Sequence, residues 1–342
     1  MINTTISERL RLLREEMTRE HLGACIFLSS DPHHSEYTAD RWKGREWVSG
    51  FDGSAGTAVV TLTSAALWTD SRYFLAAEQQ LEGTGFRLMR MKIDGTPTIA
   101  EWLGQELTAA TSGSCEVSID GMTATYHEVM ALKEELKQHG GLTLRTNLDI
   151  LSRIWHQRPS APLSTAVVHP LEYAGEDARS KLQRIRQALR RQHADGMLLT
   201  TLDDIAWALN LRGSDVHCNP VVVSYLLLTT TTTTLFIDAR KLTDSVRRHL
   251  AACDVSVAGY DDVAAALADY PDYNILLDGD EVNYTLYTAA RAPQIIDATS
   301  PVAAMKAVKN EAEIAGMRRA MLRDGVAMVK FLYWLDRVDI AS

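Results

Sequence analysis

The sequence predicts an α/β protein made of two homologous units, each a mixed sheet flanked by helices. Three observations carry this expectation. A helical pattern followed by a short apolar run occurs twice, an apolar hairpin pattern occurs twice, and both copies keep the same order along the 342 residues. At ~150 residues per domain, that length holds two units and a remainder.

The first helix is expected within residues 9–28, where Leu10, Leu13 and Met17 recur at helical spacing. The apolar run 24–28 then reads as a buried strand. The counterpart is 181–200, with Leu182, Ile185 and Leu189 on one face and 197–199 as the strand. In the first copy, apolar runs 58–62 and 65–68 flank Thr63 and Ser64, the pattern of a β-hairpin. In the second, 225–228 and 235–237 bracket six threonines, 229–234. Threonine is β-branched, so this run can extend both strands around a turn.

Both hairpins end in the same triplet type, Asp70-Ser71-Arg72 and Asp238-Ala239-Arg240, and a helix-like segment follows each. Further on, 117–121 matches 275–279, each ending in Asp-Gly, and Tyr126 and Tyr284 follow at equal distance. The offset drifts from 181 − 9 = 172 to 278 − 120 = 158, so the second copy is slightly shorter. Prolines punctuate 157–162, which places one unit at 1–157 and the other at 158–305. Two units of roughly 150 residues are of normal domain size.

Residues 306–342 begin a third segment. Asn310 with Glu313 three residues on is a helix-start signature. Ile314, Met317, Met321, Met328, Leu332 and Leu335 form one apolar stripe with Gly325 in its gap, and Phe331, Tyr333 and Trp334 extend the apolar surface. A helix apolar on more than one side needs cover on more than one side. Either this helix docks on the second unit or it opens a third domain.

Composition excludes several classes. There are 35 basic and 44 acidic residues, so net charge is 35 − 44 = −9; 46% of residues are apolar and 23% charged, which is globular composition. An acidic chain without a Lys/Arg block is no nucleic-acid binder. No run approaches the ~20 apolar residues of a spanning helix, so no membrane partner is expected. The first 17 residues are charged and amphipathic, which predicts no signal peptide. Cys25, Cys115, Cys218 and Cys253 lie far apart without a C-x-x-C pair, the pattern of buried, reduced thiols in a cytoplasmic protein.

The short motifs yield no active site. Residues 50–56 are spaced G-x-x-G-x-x-G but lead into a strand, so the helix N-terminus that would hold a phosphate is missing. Those glycines are expected to permit tight turns at a sheet edge. His127 and Glu128 fail the H-E-x-x-H zinc pattern, because Ala131 stands at the second histidine position. His33-His34 and His217-Cys218 lack partners at ligand spacing, and a metal site needs three or four converging ligands. No G-x-S-x-G elbow occurs, and no carboxylate pair stands out for acid/base work.

Longer stretches carry a resemblance. SSDPHHSEYTADRWKGREWVSGFDGSAGTAVVT, followed by ALWTDSRYFLAAEQQLE, resembles the N-terminal domain of Xaa-Pro aminopeptidase (aminopeptidase P). LDDIAWALNLRGSDVHCNPVVVSYLLL resembles the second domain of the long, three-domain form, and AVKNEAEIAGMRRAMLRDGVAM resembles the opening helix of its catalytic domain. Together these cover essentially the whole chain in family order.

The resemblance implies two creatinase-like domains, then the first helix of an incomplete pita-bread metallopeptidase domain at 306–342. That metallopeptidase carries two divalent metal ions, usually manganese, held by two Asp, one His and two Glu, and releases the N-terminal residue from peptides with proline second. The X-Pro amide has no N–H, so proteases that read that donor cannot bind it. The implied partners are proline-containing peptides and a second copy in a homodimer.

The family's ligands lie downstream of the opening helix, so none is expected within residues 1–342; Asp324, Asp336 and Asp339 lie on or just after that helix and do not replace them. The chain is therefore expected to be an N-terminal part of the enzyme and inactive alone. The alternative is a non-catalytic module that dimerises or gates substrate access. Creatine amidinohydrolase shares the architecture but has a single N-terminal domain, against which the duplication argues.

One family functional residue maps here. The peptide-binding arginine of the W-T-D-G-R-Y-F-L segment is matched by Arg72, with Ser71 in place of the usual glycine, a mild disturbance of the turn. The competing expectation is a surface ion pair with Asp70, worth ~0–1 kcal/mol, and its twin Asp238–Arg240 strengthens that view.

Overall fold

The computed structural model describes residues 5–109, 115–270 and 274–338. Asp339 and the rest of 339–342 lie outside the described residues. Six strands form the first sheet: β1 (Ala24–Phe27), β2 (Thr57–Thr61), β3 (Ala65–Thr69), β4 (Arg87–Arg90), β5 (Glu116–Ile119) and β6 (Thr143–Arg145). Their order is β4-β3-β2-β1-β5-β6. Only β2 runs antiparallel to its neighbours.

A short ladder of β7 (Val167–Val168) and β9 (Leu211–Arg212) stands apart. The second sheet takes β8 (Gly196–Leu199), β10 (Tyr225–Thr229), β11 (Thr233–Phe236), β12 (Ser256–Ala258), β13 (Asn274–Leu277) and β14 (Gln294–Asp297), in the order β12-β11-β10-β8-β13-β14. Strand for strand this is the first sheet again, with β10 as the antiparallel member.

Successive strand residues face opposite sides, and both sides are covered. In β1, Cys25 and Phe27 pack with Leu10, Leu13 and Met17 of α1 (Ile6–Arg19), Val48 of α2 (Gly44–Ser49) and Ala77 of α3 (Phe74–Gln80). Ala24 and Ile26 pack the other way, against Trp102 and Leu103 of α4 (Ile99–Ala109) and Val129 and Leu136 of α5 (Tyr126–Gln138). A short α6 (Leu151–Ile154) closes the first side.

The second sheet is covered alike. One side takes α8 (Ala178–Arg191), α9 (Leu202–Leu209), α10 (Asp244–Ala252) and α13 (Pro301–Ala307), and the other α11 (Val263–Ala268) and α12 (Tyr284–Ala289); α7 (Leu171–Ala174) precedes them. Leu182, Ile185 and Leu189 are buried as their spacing predicts. Each such side chain contributes about 1.5–3 kcal/mol on burial. Among the described residues no helix is long and apolar enough to cross a membrane.

The units meet through equivalent positions. The Tyr126 N–H donates to the Val282 carbonyl at 3.0 Å, and the Tyr284 N–H to the Ala124 carbonyl at 2.9 Å. The His127 N–H donates to Gly279 and the Thr285 N–H to Gly121. Each pair is its partner shifted by 158 residues and reversed, the reciprocity of a two-fold interface written within one chain. Gly121 and Gly279 allow it: a Cβ at Gly121 would meet Thr285 Oγ1 at 2.9 Å, and one at Gly279 would meet the His127 ring at 2.5 Å. Tyr126 stacks on Tyr287 across the join at 3.7 Å.

Several expectations are corrected. Cys115 and Cys218 are exposed, so only Cys25 is fully buried. The loop 50–56 enters β2, which lies inside the sheet, so its glycines serve no sheet edge. Gly50 takes φ +80 as the cap of α2, and a Cβ at Gly56 would meet the Trp68 carbonyl oxygen at 2.9 Å. The threonine run extends both strands as expected, with 230–232 as the turn.

The last helix, α14 (Glu311–Leu335), starts at Asn310, whose side chain accepts the Glu313 N–H while Glu313 accepts the Asn310 N–H. It touches α7 near its start. None of its residues is buried, and Met321, Leu322, Phe331, Leu332 and Trp334 are all more than half exposed.

Candidate functional site

Arg72 lies on the turn that leaves β3. The Asp70 carboxylate accepts the Arg72 backbone N–H and Nε at 3.0 Å through Oδ1, and Nη2 at 2.8 Å through Oδ2. Hydrogen bonding to Arg72 holds the Asp70 carboxyl below its usual range, and the same bond raises the guanidinium. Ser71 sits in this turn without a positive φ, so the missing glycine disturbs nothing. The second unit reproduces the chelate: Asp238 accepts Arg240 N at 2.9 Å, Nε at 3.0 Å and Nη2 at 2.6 Å.

The surroundings of the two arginines differ. The Arg72 guanidinium lies 5.3 Å from the centre of the Tyr73 ring. Tyr73 in turn meets Phe51 edge-on at 5.9 Å and shares a 2.6 Å hydrogen bond with Ser54. The glycine loop therefore builds an aromatic wall beside Arg72. After Arg240 comes Lys241, which turns inward and pairs with the buried Asp215 at 2.6 Å. Asp215 also accepts Ser164 and the Val223 N–H, so that pair is fully bonded and structural.

Beneath the loop lies Arg45, only 6% exposed. Its Nη2 donates to the Gly53 carbonyl at 2.5 Å, its plane lies 4.9 Å from the Phe51 ring centre, and Nε and Nη1 find no partner among the described residues. Burial draws this guanidinium down to about 10. It lines both a small cavity of about 40 Å³ and a cleft of about 230 Å³ between the units, where Trp42 and Ser54 face His217. Sequence reading missed Arg45; its place two residues into a short helix before the glycine loop gave no signal.

Two of the histidines set aside as metal ligands, His33 and His127, hold the units together. His33 is fully buried, with Nδ1 2.9 Å from the Thr200 carbonyl and Nε2 2.8 Å from the Tyr260 hydroxyl. Desolvation lowers its pKa. His127 reaches across the join to Asp280 at 2.9 Å and Asp297 at 2.7 Å. Those carboxylates, Asp280 foremost, raise its pKa. Glu128 caps α5.

The fold also gathers carboxylates that no spacing revealed. Asp203, Asp204, Asp278 and Glu281 converge at the carboxyl ends of β8 and β13, where Lys306 pairs with Asp203 and lies 2.6 Å from Asp204. Burial, then Asp278, Asp204 and Asp203, push Glu281 up to about 7. Even so, among the described residues no three His, Cys, Asp or Glu side chains are placed to hold a metal ion. The two-metal set implied by the resemblance does not fit this part of the protein, Asp324 and Asp336 included.

The geometry can be set beside known proteins. Residues 9–148 match the creatinase/prolidase N-terminal domain, and residues 157–313 match a second model of the same description. A probable Xaa-Pro aminopeptidase P of Aspergillus niger is 36% identical over 341 residues, covering 96% of this chain and 55% of the fungal protein. The Talaromyces marneffei protein of that name is 37% identical, with 96% and 51% covered. The crystal structure of X-prolyl aminopeptidase from Caenorhabditis elegans, described as a cytosolic enzyme with a di-nuclear active site, superposes with a TM-score of 0.91. It is 32% identical, with 98% of this chain and 56% of the worm protein covered. The chain thus spans about half the length of the curated relatives it matches.

Proposed function

We propose a function from this premise: the chain belongs to the creatinase/prolidase N-terminal domain family, and its likeness runs to Xaa-Pro aminopeptidase P. Its residues are the N-terminal, substrate-handling part of an enzyme that removes the first residue from peptides with proline second. The divalent metals, manganese by the resemblance, would polarise the scissile carbonyl and activate water. No group of the described residues takes that task. Units at 1–157 and 158–305, a homodimer and a cytosolic location complete the reading.

This chain's own contribution is Arg72. Two of its three nitrogens are bound to Asp70, which fixes the guanidinium plane. The remaining Nη1 has no partner among the described residues, so its N–H groups can take a peptide carbonyl or carboxylate oxygen. The single observation that favours Arg72 over Arg240 is the Tyr73–Phe51 wall, which stands beside one of two otherwise equal chelates.

The test is hydrolysis of Xaa-Pro peptides. A protein holding these residues and a catalytic metal domain should release the first residue, and chelator should abolish it. Residues 1–342 alone should turn over nothing, with or without manganese. Absence of turnover in the larger protein would favour a dimerising or gating module instead.

A further inference from the structure

We propose that the cavity between α7, α8, α9 and the start of α14 is a binding site for a small organic carboxylate with a flat apolar body. The cavity holds about 420 Å³, within the size range of small-molecule sites. Its polar side is cationic. Lys181 is 1% exposed, and its Nζ donates to the Trp207 carbonyl at 3.0 Å and to Asn210 Oδ1 at 2.8 Å. An ammonium carries three donors, and the third has no acceptor among the described residues. Arg212 donates only to the carbonyls of Ala206 and Leu211.

Lys309 and Arg318 complete the rim. Two carboxylates act on these four cations: Glu313, which also accepts the Asn310 N–H, and Glu176, which is already paired with Arg184 at 2.9 Å. Lys181, Arg212 and Arg318 form no ion pair among the described residues.

Capping explains part of this. Lys181 and Arg212 both bind carbonyls at the carboxyl end of α9, where a helix carries about half a negative charge. That half charge does not balance one buried and one half-buried cation, nor does it require a cavity beside them. A carboxylate does both, since buried charge is tolerated when paired and hydrogen-bonded. The opposite wall is apolar: Trp207, with Lys181 Nζ 4.5 Å from its ring centre, faces Tyr173, Ile314 and Met317. A bare anion would leave that wall empty, whereas an aromatic acid fills it. Desolvation lowers Lys181 to about 8, and His169 is lowered too, so near neutrality the lysine is charged and the histidine is not.

The experiment titrates the 342-residue chain with benzoate and with acetate, reading calorimetry and the Lys181 amide by NMR. Benzoate should bind one-to-one and at least tenfold more tightly than acetate. Affinity should fall as pH rises through about 8, where Lys181 discharges. Lys181→Met should weaken benzoate tenfold to a hundredfold, the range for a charged hydrogen bond. Because that variant also uncaps α9, Arg318→Gln on the exposed rim serves beside it and should weaken binding severalfold with unchanged melting. Equal affinity for the two acids, or benzoate binding untouched by Arg318→Gln and by folded Lys181→Met, would overturn the proposal.

Discussion

Arg72 and Arg240 form the same bond to the same carboxylate, so a single-residue experiment can separate the shared structure from any separate role. With the catalytic domain present, Arg72→Ala should lower the specificity constant for Xaa-Pro peptides roughly tenfold to a hundredfold, the effect of losing one charged hydrogen-bonding group. Arg240→Ala loses the equivalent surface pair and should leave kinetics unchanged. Equal effects would reduce both arginines to turn residues. Gly121 offers a second test at this scale. A Cβ there would press on the Thr146 carbonyl at 2.7 Å and on Thr285 Oγ1 at 2.9 Å. Gly121→Ala should cost about 1–3 kcal/mol, as overpacking does, with the loss read by urea denaturation. Full stability would show that the join between units yields easily.

Among the elements, α14 departs most from the rest. Its capping box fixes where it starts, but its apolar surface finds no cover among the described residues. Exposed apolar patches of this size mark contact surfaces. The 342-residue chain should therefore self-associate in sedimentation, and Leu332→Glu or removal of 306–342 should reduce this. A clean monomer before and after either change would count against it. Gly325 sits inside this helix with nothing within 4 Å of a would-be Cβ. Gly325→Ala should raise helix stability by about 0.5–1 kcal/mol, because alanine loses less backbone freedom. Circular dichroism during melting would show no gain if the helix were held by other contacts.

Across the whole molecule, pH acts both at the join between units and at the Glu281 corner of the second unit. His127 is raised by Asp280 and Asp297, so its contribution is present below the ordinary histidine value of about 6.5 and is lost as pH climbs through the raised one. Glu281 is raised to about 7 by burial and its acidic neighbours, so its protonated form favours the fold and ionisation weakens it. His33 and His169, both lowered, act the other way below about 6.5, where the unfolded chain takes up protons the fold refuses. Between about pH 6.5 and 7.5 stability should fall, and Glu281→Gln should flatten that fall. A rise over this window, or an unchanged slope in the variant, would contradict the assignment. The clasp is exposed, so salt should weaken the His127 part first.

The sequence by itself determined the duplication, the helix faces, both hairpins, the Asn310 cap and the paired Asp-x-Arg turns. Each is written in local periodicity or in spacing a few residues long, such as Leu182, Ile185 and Leu189 on one face. The likeness that places the chain in its family was legible too, because it lies in long contiguous stretches. Only the tertiary structure decided which arginine has an aromatic wall, that His33 and His127 bind unit to unit, and that Asp204 and Glu281 share a corner with Lys306. It also brought Lys181, Arg212 and Arg318 around one cavity. These neighbours lie tens to hundreds of residues apart, and nothing in their local patterns distinguishes them from solvated charge. Sheet order and the reciprocal packing of the two copies set their distances, and such contacts exist only once the chain has closed on itself.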